Sequence, residues 1–193
     1  LRVYLLLNAA AYGLTVTGFL VGLAFPELTR ARETAMVEDG TSDLVTGLVN
    51  SPPLFAVTIL AVNVFRLSLL TIVLPSLVVP FAGLATFGFW AVQTGITLVP
   101  LTPHGWPVLI PHALTVVIEL QAYILLLLGV FLHGTFWVRP DRAGVARHRE
   151  GYGRGLQRIG VLALPALVLL VIGAVWEAYS LRYLVHPLSQ WLG

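Results

Sequence analysis

The chain has 193 residues, of which 58% are hydrophobic and 10% charged, with a formal net charge of +2. A soluble domain carries about 25% charged residues. This composition, with a mean hydropathy of +0.89, excludes an ordinary water-soluble globule and points to an integral membrane protein. The lack of cysteine excludes disulfides, iron–sulfur clusters and thiolate zinc sites, and it leaves the redox compartment open.

A spanning helix needs roughly 20 apolar residues, so about five spans fit. The expected fold is all-α: one polytopic transmembrane helix bundle. The chain opens on Leu1, which leaves open whether residues precede it. The first apolar run is too long for a signal-peptide core and lacks a small-residue cleavage pattern, so residues 3–25 read as span 1. Its Ala9, Gly13, Thr17 and Gly22 suit close helix packing in lipid. Residues 26–52 set Arg30 and Arg32 against Glu27, Glu33, Glu38, Asp39 and Asp43. Their sparse apolar residues recur at roughly helical spacing. This predicts an amphipathic helix on the membrane or over the bundle, with a solvated loop holding one helical turn as the alternative.

Residues 53–99 form one long apolar stretch interrupted by "LPSLVVP". That length predicts span 2 over 54–74 and span 3 over 79–99. Residues 100–111, "PLTPHGWPVLIP", are expected to form a rigid proline-rich loop. Spans 4 and 5 are expected over 112–136 and 160–184. Between them lie Arg139, Arg142, Arg147, Arg149, Arg154 and Arg158, which put the 137–159 loop in the cytoplasm. The N-terminus is then cytoplasmic, and residues 26–52 and the C-terminal tail are extracytoplasmic. The plasma (inner) membrane of a bacterial cell is the expected location. The arginine loop serves as a topology signal, and it is also the candidate contact for anionic lipid headgroups or a partner. It is short and lies in no nucleic-acid-binding module.

Polar groups interrupt the spans at Asn63, Arg66, Gln93, His112, Glu119, Gln121 and Glu177. An ionisable group at mid-bilayer costs about 2.5–3.5 kcal/mol or more, so each is expected to face protein or water. Counting at about 1.5 Å per residue places Glu119, Glu177 and Gln93 near 10 Å below the outer edge. His112 lies on the Glu119 face at i, i+7. Arg66 falls about 18 Å deep. It either pairs with Glu119 or Glu177 or reaches the cytoplasmic headgroups.

Two readings follow for this layer. One is a hydrogen-bonded network that fixes packing. The other is a cavity for a proton, ion or substrate, with the two glutamates as carboxylates. No cofactor or metal is expected. His112 and His133 stand at opposite ends of one helix, and no facing span offers a haem mate. His104, His186 and His112 form the one conceivable outer metal set. An enzymatic reading with His112 and Glu119 lacks a nucleophile.

Three segments resemble a known family. They are "AVNVFRLSLL" (61–70), "PHALTVVIELQAY" (111–123) and "LPALVLLVIGAVWEAY" (164–179). Together they are similar to the stage II sporulation protein M family of polytopic membrane proteins, over roughly residues 1–185. Asn63, His112, Glu119 and Glu177 match its pattern. Ala113 stands where the family has glycine, and Gln93–Gly95 replaces its asparagine–glycine pair. The resemblance implies a non-enzymatic membrane scaffold or complex subunit, with other membrane proteins or copies of itself as partners.

Overall fold

A computed structural model describes residues 1–102 and 105–192, with the side chains of His186, Ser189 and Leu192 outside the description. Every regular element among them is helical: α1 (Arg2–Ala24), α2 (Pro26–Glu38), α3 (Thr41–Leu48), α4 (Pro52–Val78), α5 (Ala82–Thr97), α6 (Trp106–Val138), α7 (His148–Tyr183) and α8 (Val185–Leu192). Helices α1, α4, α6 and α7 are long and apolar enough to cross a membrane. Helix α5 has 16 residues, short of the roughly 20 that a full span takes.

Helix α6 is the central post, and its Leu120, Tyr123, Ile124, Leu127 and Val130 are buried. Around it pack Leu67 and Ile72 of α4, Phe87 and Ala91 of α5, and Ala166 and Leu170 of α7. The outward faces stay apolar. Val161, Leu164, Val168, Val171 and Val175 of α7 are exposed, as are Leu6, Val16 and Leu20 of α1 and Phe65 and Leu70 of α4. Apolar faces this extensive are unusual on a monomer in water and are what a bilayer accommodates.

Glycines set the closest approaches. Helices α1 and α5 run parallel, with Gly18 against Val92 and Gly22 against Ile96. Gly95 abuts Thr15, and a Cβ there would lie 2.1 Å from the Thr15 carbonyl oxygen. Helices α6 and α7 run antiparallel, with Gly151 beside Phe136, Gly155 beside His133 and Gly173 beside Glu119.

Several sequence expectations require correction. Residues 100–111 are not wholly a loop, because α6 starts at Trp106. Pro107 falls in the first turn, where its missing N–H costs nothing. Pro111 lies inside the helix, and its own carbonyl accepts a hydrogen bond from Trp176 Nε1 at 3.0 Å. His104 lies outside the described residues.

The 137–159 segment is also mostly helical. A 3₁₀ turn (Pro140–Ala143) leads to α7, which starts at His148, so Arg149, Arg154 and Arg158 stand on a helix. Gly151 and Gly155 make this possible by letting α7 meet α6 backbone to backbone.

Residues 26–52 hold two helices rather than one. Gly40, with φ +78°, takes a left-handed conformation that ends the first and starts the second. The break after span 2 falls at 79–81 and not at Pro75, which lies within α4. Phe81 makes this turn with φ +67°.

Candidate intramembrane polar site

Helix α4 carries the first component. Its Val62–Val73 stretch is π-helical. Ser68 Oγ donates to the Asn63 carbonyl at 2.8 Å and Thr71 Oγ1 to that of Arg66 at 2.9 Å, both across five residues. Such wide turns are frequent at functional sites. Here the stretch carries both Asn63 and Arg66.

Asn63 Nδ2 donates to Glu119 Oε1 on α6. Glu177 on α7 faces His112 on α6, with His112 Nδ1 and Glu177 Oε1 3.6 Å apart. That distance is long for a direct hydrogen bond and puts the two side chains in polar contact across the α6–α7 seam. Gly173, one turn from Glu177, packs where a Cβ would lie 3.2 Å from Glu119 Cγ. Asn63, Glu119 and Glu177 also line one cavity of about 250 Å³. Thus Asn63, His112, Glu119 and Glu177, from three helices, form one cluster.

Helix α3 covers that cavity with Thr41, Leu44, Val45 and Leu48. The two hydroxyls lining it are engaged elsewhere. Thr58 Oγ1 donates to the Leu54 carbonyl at 3.0 Å. Thr41 bonds Asp39 through both its side chain and its backbone N–H, and those bonds hold the exposed Asp39 carboxyl below its ordinary range.

The other polar residues stand apart. Gln121 turns to α1. It accepts from Tyr4 Oη at 2.6 Å and donates to Asn8 Oδ1 at 2.8 Å and Tyr12 Oη at 3.0 Å. Gln93 shares a groove with Arg66 and Arg32. Arg66 reaches neither glutamate: among the described residues no carboxylate oxygen lies within 4.0 Å of its guanidinium.

Sequence reasoning overlooked Tyr123 and Thr115. Both are fully buried on α6, and neither hydroxyl has a hydrogen-bond partner among the described residues. Tyr123 lies within electrostatic reach of both glutamates, under Phe87 and Trp90. Its place four residues after Glu119, on the same helix face, is the signal that would have found it.

At the far end of α6, Arg142, Arg154 and Arg158 line a cavity of about 240 Å³ with Gln157. Arg139, Arg147 and Arg149 are not part of it. Among the described residues no three histidine or acidic side chains converge to hold a metal. No protein-family model, curated protein or solved structure matches the chain.

Proposed function

We propose that this chain is a five-span integral membrane scaffold or complex subunit of the kind the stage II sporulation protein M resemblance implies, with the glutamate cluster fixing the register of α4, α6 and α7. One observation carries this reading: Asn63 of α4 is hydrogen-bonded to Glu119 of α6, beside the contact of His112 on α6 with Glu177 on α7. Interhelical polar bonds of this kind are worth about 0.6–2 kcal/mol in a bilayer, enough to select one packing.

In this reading α5 is a short fifth span, parallel to α1. The arginine-rich end of α6 and α7 is cytoplasmic by the positive-inside rule. Helices α2 and α3 then lie outside, with α3 resting its apolar residues on the bundle as an amphipathic cover. The exposed Leu44 and Val45 extend that cover toward a partner or the lipid surface.

A second reading, a small transporter using Glu119 and Glu177 as carriers, is favoured by the cavity that both carboxyls reach. One pair of variants separates the two. Gln at position 119 keeps an acceptor for Asn63, and leucine does not. A scaffold predicts that Glu119→Gln accumulates and functions as wild type while Glu119→Leu fails in both respects. A transporter predicts normal accumulation and lost function for Glu119→Gln. In addition, native-size analysis in mild detergent is expected to show a species larger than the 20.9 kDa chain. A bare monomer with no associated protein contradicts the scaffold.

A further inference from the structure

Arg66 stands near the midpoint of α4, an apolar helix, yet among the described residues its guanidinium makes no hydrogen bond and no ion pair within 4.0 Å. Ionisable residues within spanning helices pair with a partner or line a water-filled cavity. Arg66 faces open cavities. It lines a cavity of about 370 Å³ and a second of about 620 Å³. Arg32 of α2, Thr71 of α4 and Trp90 of α5 line both as well. The two cavities are therefore lobes of one groove along the α4–α5 seam.

The groove is rich in donors. Arg32 Nε bonds Thr97 Oγ1 at 3.3 Å, which orients its guanidinium and leaves its terminal amines to the groove. Gln93 adds an amide to the larger lobe, where the Thr86 hydroxyl is already spent on the Thr71 and Ala82 carbonyls, and among the described residues no carboxylate lines that lobe. The smaller lobe also holds Asp39 and His112. Among the described residues Asp39 is the one carboxylate facing it, lies within electrostatic reach of both arginines and is bonded to Thr41. The groove thus carries two guanidinium groups against one aspartate. Phe89 and Ala85 form an apolar flank beside the donors.

We propose that this groove binds a phosphate-type oxyanion, held by Arg32 and Arg66 and seated by the Gln93 amide. Planar guanidinium forks match phosphate oxygens through paired charge-assisted hydrogen bonds. The anion supplies the second negative charge that two guanidinium groups facing one aspartate leave unmatched. A phospholipid headgroup and a soluble phosphate present the same chemistry. The lipid source rests on the membrane reading above, because acyl chains would follow the Phe89 flank into the bilayer. The site itself does not need the scaffold reading.

The test uses the full chain, delipidated in a neutral maltoside detergent. Melting temperature and native mass spectrometry are followed with three probes: inorganic phosphate, phosphatidylglycerol and diacylglycerol, which lacks the phosphate. Binding and stabilisation are expected with phosphatidylglycerol or phosphate and not with diacylglycerol. Response to phosphate alone identifies a soluble ligand, and response to phosphatidylglycerol alone identifies a headgroup. Arg66→Gln and Arg32→Gln are each expected to weaken that binding about tenfold or more. Arg30→Gln, an exposed α2 arginine that lines neither lobe, leaves it unchanged. If Arg66→Gln does not fold, Arg32→Gln, half-buried at the rim, decides alone. Binding of neither phosphate-bearing probe, or unchanged binding by a folded Arg32→Gln variant, overturns the proposal.

Discussion

Gly95→Val is expected to detach α1 from α5 and leave little folded protein. The two helices meet backbone to backbone, and a Cβ on Gly95 would lie 2.1 Å from the Thr15 carbonyl oxygen and 2.7 Å from the Phe19 nitrogen. Neither is the tip of a side chain that can swing aside, so the helices must separate. Ordinary overpacking costs about 1–3 kcal/mol, and a backbone clash belongs at or above the top of that range. A domain holds only about 5–15 kcal/mol of stability. At about 2–4 °C per kcal/mol for a chain of this size, a fall of at least about 6 °C is expected by fluorescence-detected melting in detergent. Gly13 provides the control. Nothing lies within 4 Å of a Cβ built there, so Gly13→Ala is expected to be neutral or to gain up to about 1 kcal/mol from helix propensity. Equal losses at both positions would show that α1 and α5 do not meet as described.

The second large effect concerns the Asn63–Glu119 bond. Asn63→Ala leaves the Glu119 carboxyl without its donor, and Glu119→Ala leaves the Asn63 amide without its acceptor. Each single change is expected to cost about 1–3 kcal/mol, because a buried polar group stranded without a partner loses more than the bond was worth. The double variant removes both groups together, so its cost should fall short of the sum by about 0.5–1.5 kcal/mol. Melting measurements on the four proteins give this difference directly. Strict additivity would mean that the two side chains do not interact in the folded bundle.

The long helices were legible because 20-residue apolar runs have few other fates. Their ends were not. Pro107 and Pro111 look like breakers in the sequence, but the first sits where a helix has a spare N–H to lose, and the second is braced by Trp176 on α7. Arg149, Arg154 and Arg158 look like loop residues because they are charged. They are helical because Gly151 and Gly155 let α7 run alongside α6 beyond its apolar part.

Depth counting brought Glu119 and Glu177 to one height because rise per residue is fixed in a helix, and the i, i+7 spacing put His112 on the Glu119 face. Counting put Gln93 at that height too, but Gln93 lines the groove with Arg66 and Arg32. It had no means of telling which way Gln121 turns. Gln121 is only two residues from Glu119, yet it faces Tyr4, Asn8 and Tyr12 on α1. A residue two positions along a helix points about 200° away, so one stretch of α6 serves two separate networks. Arg66 was drawn toward the glutamates by charge complementarity alone. The wide turns of Val62–Val73 left it on the α5 side of α4, in the groove with Arg32.

The central claim is that polar side chains from α4, α6 and α7 converge on one place inside the bundle. Because the chain has no cysteine, paired cysteines can be introduced without background. Treated in native membranes with a short bifunctional thiol reagent, His112→Cys with Glu177→Cys, and separately Asn63→Cys with Glu119→Cys, are expected to cross-link in high yield. Gln121→Cys with Glu177→Cys is expected to remain open. If both polar pairs fail to link in protein that is inserted and folded, or if the Gln121 pair links as readily, the convergence does not exist.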